Sequence, residues 1–121
     1  IIGIDDRGYV GINKAKPRYQ LDVNGKIRST VEVLVTTANF PDFVFEENYA
    51  MESFENRIDK IKNNKHLPYI ASAKEIEKTG LPVSETMSGL TRNVEEMYLY
   101  IEKLEERISE LEQKLDNKSS K

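Results

Sequence analysis

Apolar residues recur at alternating spacings of four and three along the last third of the chain, from Val83 to Leu115. A repeat near 3.5 residues is typical of helices that supercoil around one another. Because the residues between are mostly charged or polar, one helix has nothing of its own to cover this narrow stripe. The sequence therefore predicts a coiled coil over residues 83–115, and an oligomer. The apolar positions are Val83, Met87, Leu90, Val94, Met97, Ile101, Leu104, Ile108, Leu111 and Leu115.

The heptad register bears on the number of chains. With Val94 and Ile101 at position a and Leu104 at position d, β-branched residues alternate with leucine, which favours a parallel dimer. The segment from Arg107 to Glu112 instead resembles the short trimerisation motif of parallel three-stranded coiled coils. In a trimer the arginine stem covers the apolar seam while its guanidinium meets the glutamate of the next chain. We expect a homotrimer, with an ordinary surface ion pair in a dimer as the alternative.

Residues 1–37 carry a β pattern of short apolar pieces separated by turn sequences, which predicts the β-rich end of a shaft. The Asn24-Gly25 pair fits a type I′ turn, so a hairpin is expected between Tyr19–Val23 and Lys26–Arg28. The alternation continues through Val31, Val33 and Val35. Since only one face of such strands is apolar, we expect neighbouring chains to supply the partner sheet.

Residues 38–82 predict a small mixed α/β knob. Phe54, Ile58 and Ile61 mark a helix from Glu52 to Asn63. Ser72 and Glu75 form a capping box that opens a short helix ending at Gly80, and Ser84 is the expected N-cap of the long helix.

The densest aromatic cluster of the chain lies at the start of this knob. It reads either as the core of a small domain or as an exposed patch on which a surface ligand, such as a glycan, stacks. The side chains of that candidate patch are Phe40, Phe43, Phe45 and Tyr69.

Composition excludes several classes of function. The 121 residues have a net charge of −3 and no cysteine, so we expect neither a nucleic-acid partner, a disulfide nor a cysteine-based metal site. No apolar run approaches the ~20 residues of a membrane span, so no membrane insertion is expected. The opening residue is Ile1, in mid-pattern, and we take the chain as the C-terminal piece of a longer protein. Residues 116–121 lack apolar side chains and should fray.

Two stretches resemble a known family. Tyr9–Asn13, Pro17 and Leu21–Arg28 resemble the shaft repeat of bacteriophage tail fibres. Asp42–Phe45 and Lys65–Glu75, followed by heptads, are similar to the C-terminal domains of tail-fibre and spike proteins from phages, prophages and phage-like injection systems of Bacteroidota.

This resemblance implies a homotrimeric fibre end of α+β class: intertwined β-structure, an α/β knob and a closing parallel coiled coil. It implies a place in a virion tail fibre or an extracellular phage-like particle. The implied partners are the chain itself, a bacterial surface glycan or protein, and other tail or baseplate proteins. Two departures stand out, since Asn13 replaces a usual glycine and Ala71 a frequent proline; asparagine tolerates a positive φ.

Enzymatic chemistry is not expected. Many fibres with this shaft repeat end in a self-cleaving intramolecular chaperone that uses a serine–lysine dyad, but residues 36–42 contain neither residue type. For His66, the single histidine, the sequence shows no partner at the spacing that a general base or a metal ligand would need. We expect it to pack at the Leu67-Pro68 turn. A calcium site at Asp5 and Asp6 is a minor alternative. We therefore predict no catalytic, cofactor or metal site.

The alternatives to a fibre tip are two. One is a C-terminal intramolecular chaperone domain, self-cleaving or degenerate, which the missing dyad disfavours. The other is the stalk of a trimeric bacterial surface adhesin.

Overall fold

A computed structural model describes residues 1–120, and within them the chain is α+β, with three short strands in one sheet and three helices. This class confirms the expectation from sequence. The chain divides into two compact units, residues 1–34 and the chain from Val35 onward.

The first unit is a three-stranded sheet in the order β1-β2-β3. Strand β1 (Ile2–Ile4) runs antiparallel to β2 (Val10–Ile12), which runs parallel to β3 (Leu21–Val23). Asp5 builds the turn between β1 and β2, because its carboxylate accepts hydrogen bonds from the backbone N–H groups of Arg7 and Tyr9 at 2.9 and 3.0 Å. Asn13 has a φ of 54°, so it adopts the positive φ that its side chain tolerates.

The expected hairpin at Asn24-Gly25 is wrong. No strand follows β3 within the first unit; β3 instead pairs with β2, and Asn24 donates its backbone N–H to the Ile12 carbonyl at 2.9 Å. Ile27 is 74% exposed and Val31 is 91% exposed. A turn sequence sets a local bend, but a strand also needs neighbours for its side chains, and here the chain offers none.

The second unit begins with a 3-10 turn at Phe43–Phe45 and continues into α1 (Phe54–Asn64). The predicted start at Glu52 is two residues early, because the Ser53 side chain accepts the Asn56 N–H at 3.2 Å and caps the helix there. Helix α2 (Ala73–Thr79) confirms the Ser72 cap, which accepts the Glu75 N–H at 3.2 Å.

Helix α3 (Val83–Ser119) is the longest element. The expected N-cap at Ser84 is wrong, since the cap is Pro82, whose carbonyl accepts the Thr86 N–H at 3.0 Å. Proline lacks the backbone N–H that a helix interior needs and disfavours helical backbone at the residue before it, so the helix begins directly after Pro82. The helix continues past the heptad boundary at Leu115 as far as Ser119; fraying of residues 116–121 stays a prediction, and Lys121 lies outside the described residues.

The core of the second unit is small and polar. Val44 and Tyr100 are its buried hydrophobic residues, while Arg57 and Glu96 are buried beside them. No helix within residues 1–120 is long and apolar enough to cross a membrane.

Candidate oligomer interface on the long helix

Helix α3 has two faces of opposite character. On one, the knob covers a set of mostly polar residues. On the other, the ten apolar heptad residues from Val83 to Leu115 remain between 41% and 66% exposed, and we call this the heptad face. The covered residues are Gly89, Asn93, Glu95, Glu96 and Tyr100.

The heptad face holds every position that the periodicity singles out for an interface. A contiguous exposed apolar surface of this length is typical of an interaction site. The predicted interface residues on it are Met87, Leu90, Val94, Met97, Ile101, Leu104, Ile108, Leu111 and Leu115. Arg107 and Glu112 are exposed at its two edges, in heptad positions g and e.

Glu96 is the centre of the opposite face. Its side chain is 1% exposed, and its two carboxylate oxygens lie 3.0 and 3.1 Å from Nη2 of Arg57. The Tyr69 hydroxyl lies 2.7 Å from one of these oxygens, and the Tyr49 hydroxyl donates to it at 3.1 Å. Although burial opposes ionisation, these donors lower the pKa of Glu96. A buried carboxylate with this many donors is held ionised.

Arg57 links the helices through this carboxylate. It lies on α1, and its Nε donates to Glu52 at 2.7 Å while its Nη2 reaches Glu96 on α3. Burial lowers the pKa of Arg57, but the two carboxylates outweigh it and the net shift is upward. Lys60 closes the set with an ion pair of 2.6 Å to Glu52. Removing one partner of such a buried pair leaves the other charge uncompensated. The Arg57–Glu96 pair therefore holds α1 against α3, and we call this pair the clamp.

The candidate ligand patch is divided in the structure. Phe43 and Tyr69 lie around the guanidinium of Arg92, whose Cζ is 5.0 and 4.0 Å from their ring centroids. These two side chains therefore take part in cation–π contacts between the knob and α3. Phe40 and Phe45 do not contact Arg92 in this way, and all four side chains are exposed by at least 37%. The structure brings together two of the four residues, and ligand binding by the patch stays a prediction.

The backbone of the knob at Tyr69 lies very close to α3 at Gly89, on the N-terminal side of Glu96. A Cβ added at Gly89 would lie 2.5 Å from the Tyr69 carbonyl oxygen and 2.7 Å from Cδ1 of Ile70. One turn later, Asn93 donates through Nδ2 to the Pro68 carbonyl at 2.9 Å. The segment before α2 thus sits directly on the helix.

Sequence reasoning missed this polar clamp. Arg57 follows Phe54 by three residues and precedes Ile61 by four, so it falls on the apolar stripe of α1. A charge on an apolar stripe signals a buried partner, and that signal was available. The identity of the partner was not, because Glu96 is 39 residues away along the chain.

The remaining candidate residues, His66 and Asp5, have partners close to them in the chain. His66 Nδ1 lies 2.9 Å from the Leu67 carbonyl oxygen, at the predicted turn. Asp5 forms an ion pair with Arg7 at 2.6 Å, which occupies the carboxylate suggested for calcium. In the described part of the chain no group of three or more His, Asp or Glu side chains is arranged to hold a metal ion.

The chain matches no protein-family model, no curated protein and no solved structure.

Proposed function

We propose that this chain is the tip and assembly module of a homotrimeric tail fibre that serves attachment to a bacterial surface. The observation that carries the proposal is the heptad face: an apolar stripe from Val83 to Leu115 that stays open while the knob occupies the other side of the same helix. The fibre context rests on the resemblance of the shaft and knob segments.

Assembly through the heptad face is energetically favourable. Its ten side chains are about half exposed, so covering each one contributes on the order of 1 kcal/mol. The sum over the stripe, about 10 kcal/mol, is comparable with the net stability of a small domain. A parallel arrangement brings identical stripes into register, and the Arg107–Glu112 edge pair favours three chains over two.

The β-unit supports an intertwined fibre. Ile2, Ile4 and Leu21 on its strands are more than half exposed, and its strands are only three residues long. Strands this short gain stability from pairing with more strands. In the proposed trimer, neighbouring chains supply them. Inter-chain strand pairing is slow because its contacts are non-local, so the helices assemble first and hold the chains aligned.

Substitutions on the open face of α3 can test this proposal without disturbing the knob. Cutting the chain before Val83 would remove Glu96 and unfold the knob, so substitutions on the open face are preferable. We expect sedimentation equilibrium to give a trimer mass for the whole chain and a monomer mass for the double variant Leu104→Asp/Ile108→Asp. The matched control, Glu106→Ala/Ser109→Ala, changes polar positions of the same helix and should remain trimeric.

A monomeric wild-type chain would contradict the assembly proposal, and a dimer would contradict the trimer. The fibre context has its own test. Antibodies against this chain should label the ends of tail fibres in electron micrographs of phage-like particles from the source bacterium. Labelling of the bacterial cell surface would instead indicate an adhesin.

A further inference from the structure

We propose that each knob also binds the next copy of the chain, and that Tyr98 of that copy fills the groove between α1 and α3. This inference rests on the parallel assembly proposed above and adds a second contact surface to it. The groove is an apolar depression of about 280 Å³ beside the heptad face. Its lining includes Phe54, Ile61, Leu67, Leu90, Met97 and Tyr100.

The walls of this groove join the knob to the heptad face. Phe54 on α1 is 55% exposed and Leu67 is 47% exposed, although Phe54 already packs edge-on against Tyr100 at a centroid distance of 5.1 Å. Leu90 and Met97 belong to both the groove and the heptad face. The apolar surface of the helix therefore continues from the heptad face onto α1 at this edge.

The heptad register assigns the edge. Asn93 and Tyr100, which the knob covers, occupy position g, so the groove lies on the g side of α3. In parallel coiled coils the g side of one helix meets the e side of its neighbour. Tyr98 is at position e and is 67% exposed. In this arrangement a g residue faces the e residue of the neighbour's following heptad, which places Tyr98 of the next chain opposite Asn93, inside the groove.

Charge along the two edges matches this placement. Towards the C-terminal end of the groove a second depression is lined by Phe54, Leu104, Lys103 and Arg107. The e edge, which would face it from the next chain, carries Glu105 and Glu112 in the heptads after Tyr98. The groove side is thus basic where the arriving edge is acidic, and opposite charges across an interface fix its register.

A tyrosine also suits the groove chemically. Its ring supplies apolar area to Phe54 and Leu67, while its hydroxyl keeps access to polar groups at the rim. In an antiparallel pair g would meet g instead, and the groove would receive Asn93 or Tyr100 of a partner, both of which are already covered by their own knob. The groove is therefore specific for a parallel copy.

Photo-crosslinking tests the inference, and it does not require that the distance between Tyr98 and the groove of the next chain is known beforehand. The photoreactive residue p-benzoylphenylalanine replaces Tyr98, and isotopically light and heavy chains are mixed to identify bonds between chains by mass spectrometry. We expect inter-chain crosslinks to the segment from Phe54 to Leu67. The control places the same group at Glu102, in position b on the outer side, where crosslinks to that segment should be absent. A third probe replaces Leu111 in the heptad face and should crosslink to the same helix of another chain.

The outcomes separate the two proposals. If the chain is trimeric and the Leu111 probe crosslinks but the Tyr98 probe does not reach residues 54–67, the groove inference is overturned and the assembly stands. If the chain sediments as a monomer and neither probe crosslinks between chains, the assembly proposal fails first. Sedimentation of the Tyr98 probe variant itself confirms that its result is read on an assembled protein.

Discussion

The Tyr69 hydroxyl lies 2.7 and 2.9 Å from the two carboxylate oxygens of Glu96, although Tyr69 holds its backbone at a φ of 66°. A left-handed conformation is uncommon for an aromatic residue and stores strain. The contacts with Glu96 and Arg92 hold the residue there. The knob is therefore fastened to α3 by charge and hydrogen bonding more than by apolar burial.

Removing that hydroxyl should weaken the knob. We expect Tyr69→Phe to lower the free energy of unfolding by about 1–3 kcal/mol, because a buried carboxylate loses a donor. Urea denaturation at one fixed protein concentration measures it, since the proposed assembly would make stability depend on concentration. The control is Tyr19→Phe, at an exposed tyrosine, which should leave the midpoint unchanged. Equal effects from both variants would contradict a special role for the Tyr69 hydroxyl.

The Arg57–Glu96 pair should show strong energetic coupling. We expect Arg57→Met and Glu96→Gln each to cost roughly 3–5 kcal/mol, because each leaves the other group buried without its main partner. The double variant should cost clearly less than the sum of the two. Additive losses in a double-mutant cycle would show that the two side chains act independently.

The surroundings of Glu95 predict that removal of a neighbouring negative charge stabilises the protein. Its side chain is buried, its Oε2 has no hydrogen-bond partner among residues 1–120, and burial together with the neighbouring Asp42 raises its pKa. A raised carboxyl pKa means that the folded state holds the proton more tightly than the unfolded state does. The contribution of Glu95 to the free energy of unfolding is therefore fully present below pH 4.5, the ordinary pKa of a glutamate, and is lost as pH rises through the folded-state pKa.

The variant Asp42→Asn removes the neighbouring negative charge. It should raise the melting temperature at pH 7 and change it little at pH 3.5, where Glu95 is protonated. Asp59→Asn, at an exposed position of α1, serves as the control. The idea fails if Asp42→Asn stabilises the protein equally at both pH values.

Replacement of Gly89 by alanine has two effects of opposite sign on stability. Glycine to alanine within a helix normally stabilises by up to ~1 kcal/mol. At Gly89 the added methyl group would collide with the Tyr69 carbonyl, so we expect Gly89→Ala to destabilise. Ser109→Ala, on the exposed part of α3, should stabilise slightly. Thermal unfolding followed by circular dichroism measures both, and a stabilised Gly89→Ala would contradict the close approach.

Local patterns predicted part of the local structure of this chain. The Ser72 cap and α3 follow from side-chain periodicity and hydrogen bonding within a few residues. The Asn24-Gly25 hairpin failed because a turn sequence does not reveal whether the following strand has a partner. The Arg57–Glu96 clamp could not be paired from sequence, because contacts between distant segments leave no periodic trace.

Because Arg57 precedes Glu96 in the sequence, the clamp can form only in a polypeptide that extends into α3. Arg57 is synthesised before Glu96, the counter-charge that makes its burial tolerable, and α3 carries both that charge and the face proposed for assembly. A polypeptide interrupted between them keeps the cation but lacks both its counter-charge and the heptad face. Without Glu96, a shortened chain would hold the Arg57 cation with no buried counter-charge on α3, which disfavours the folded knob.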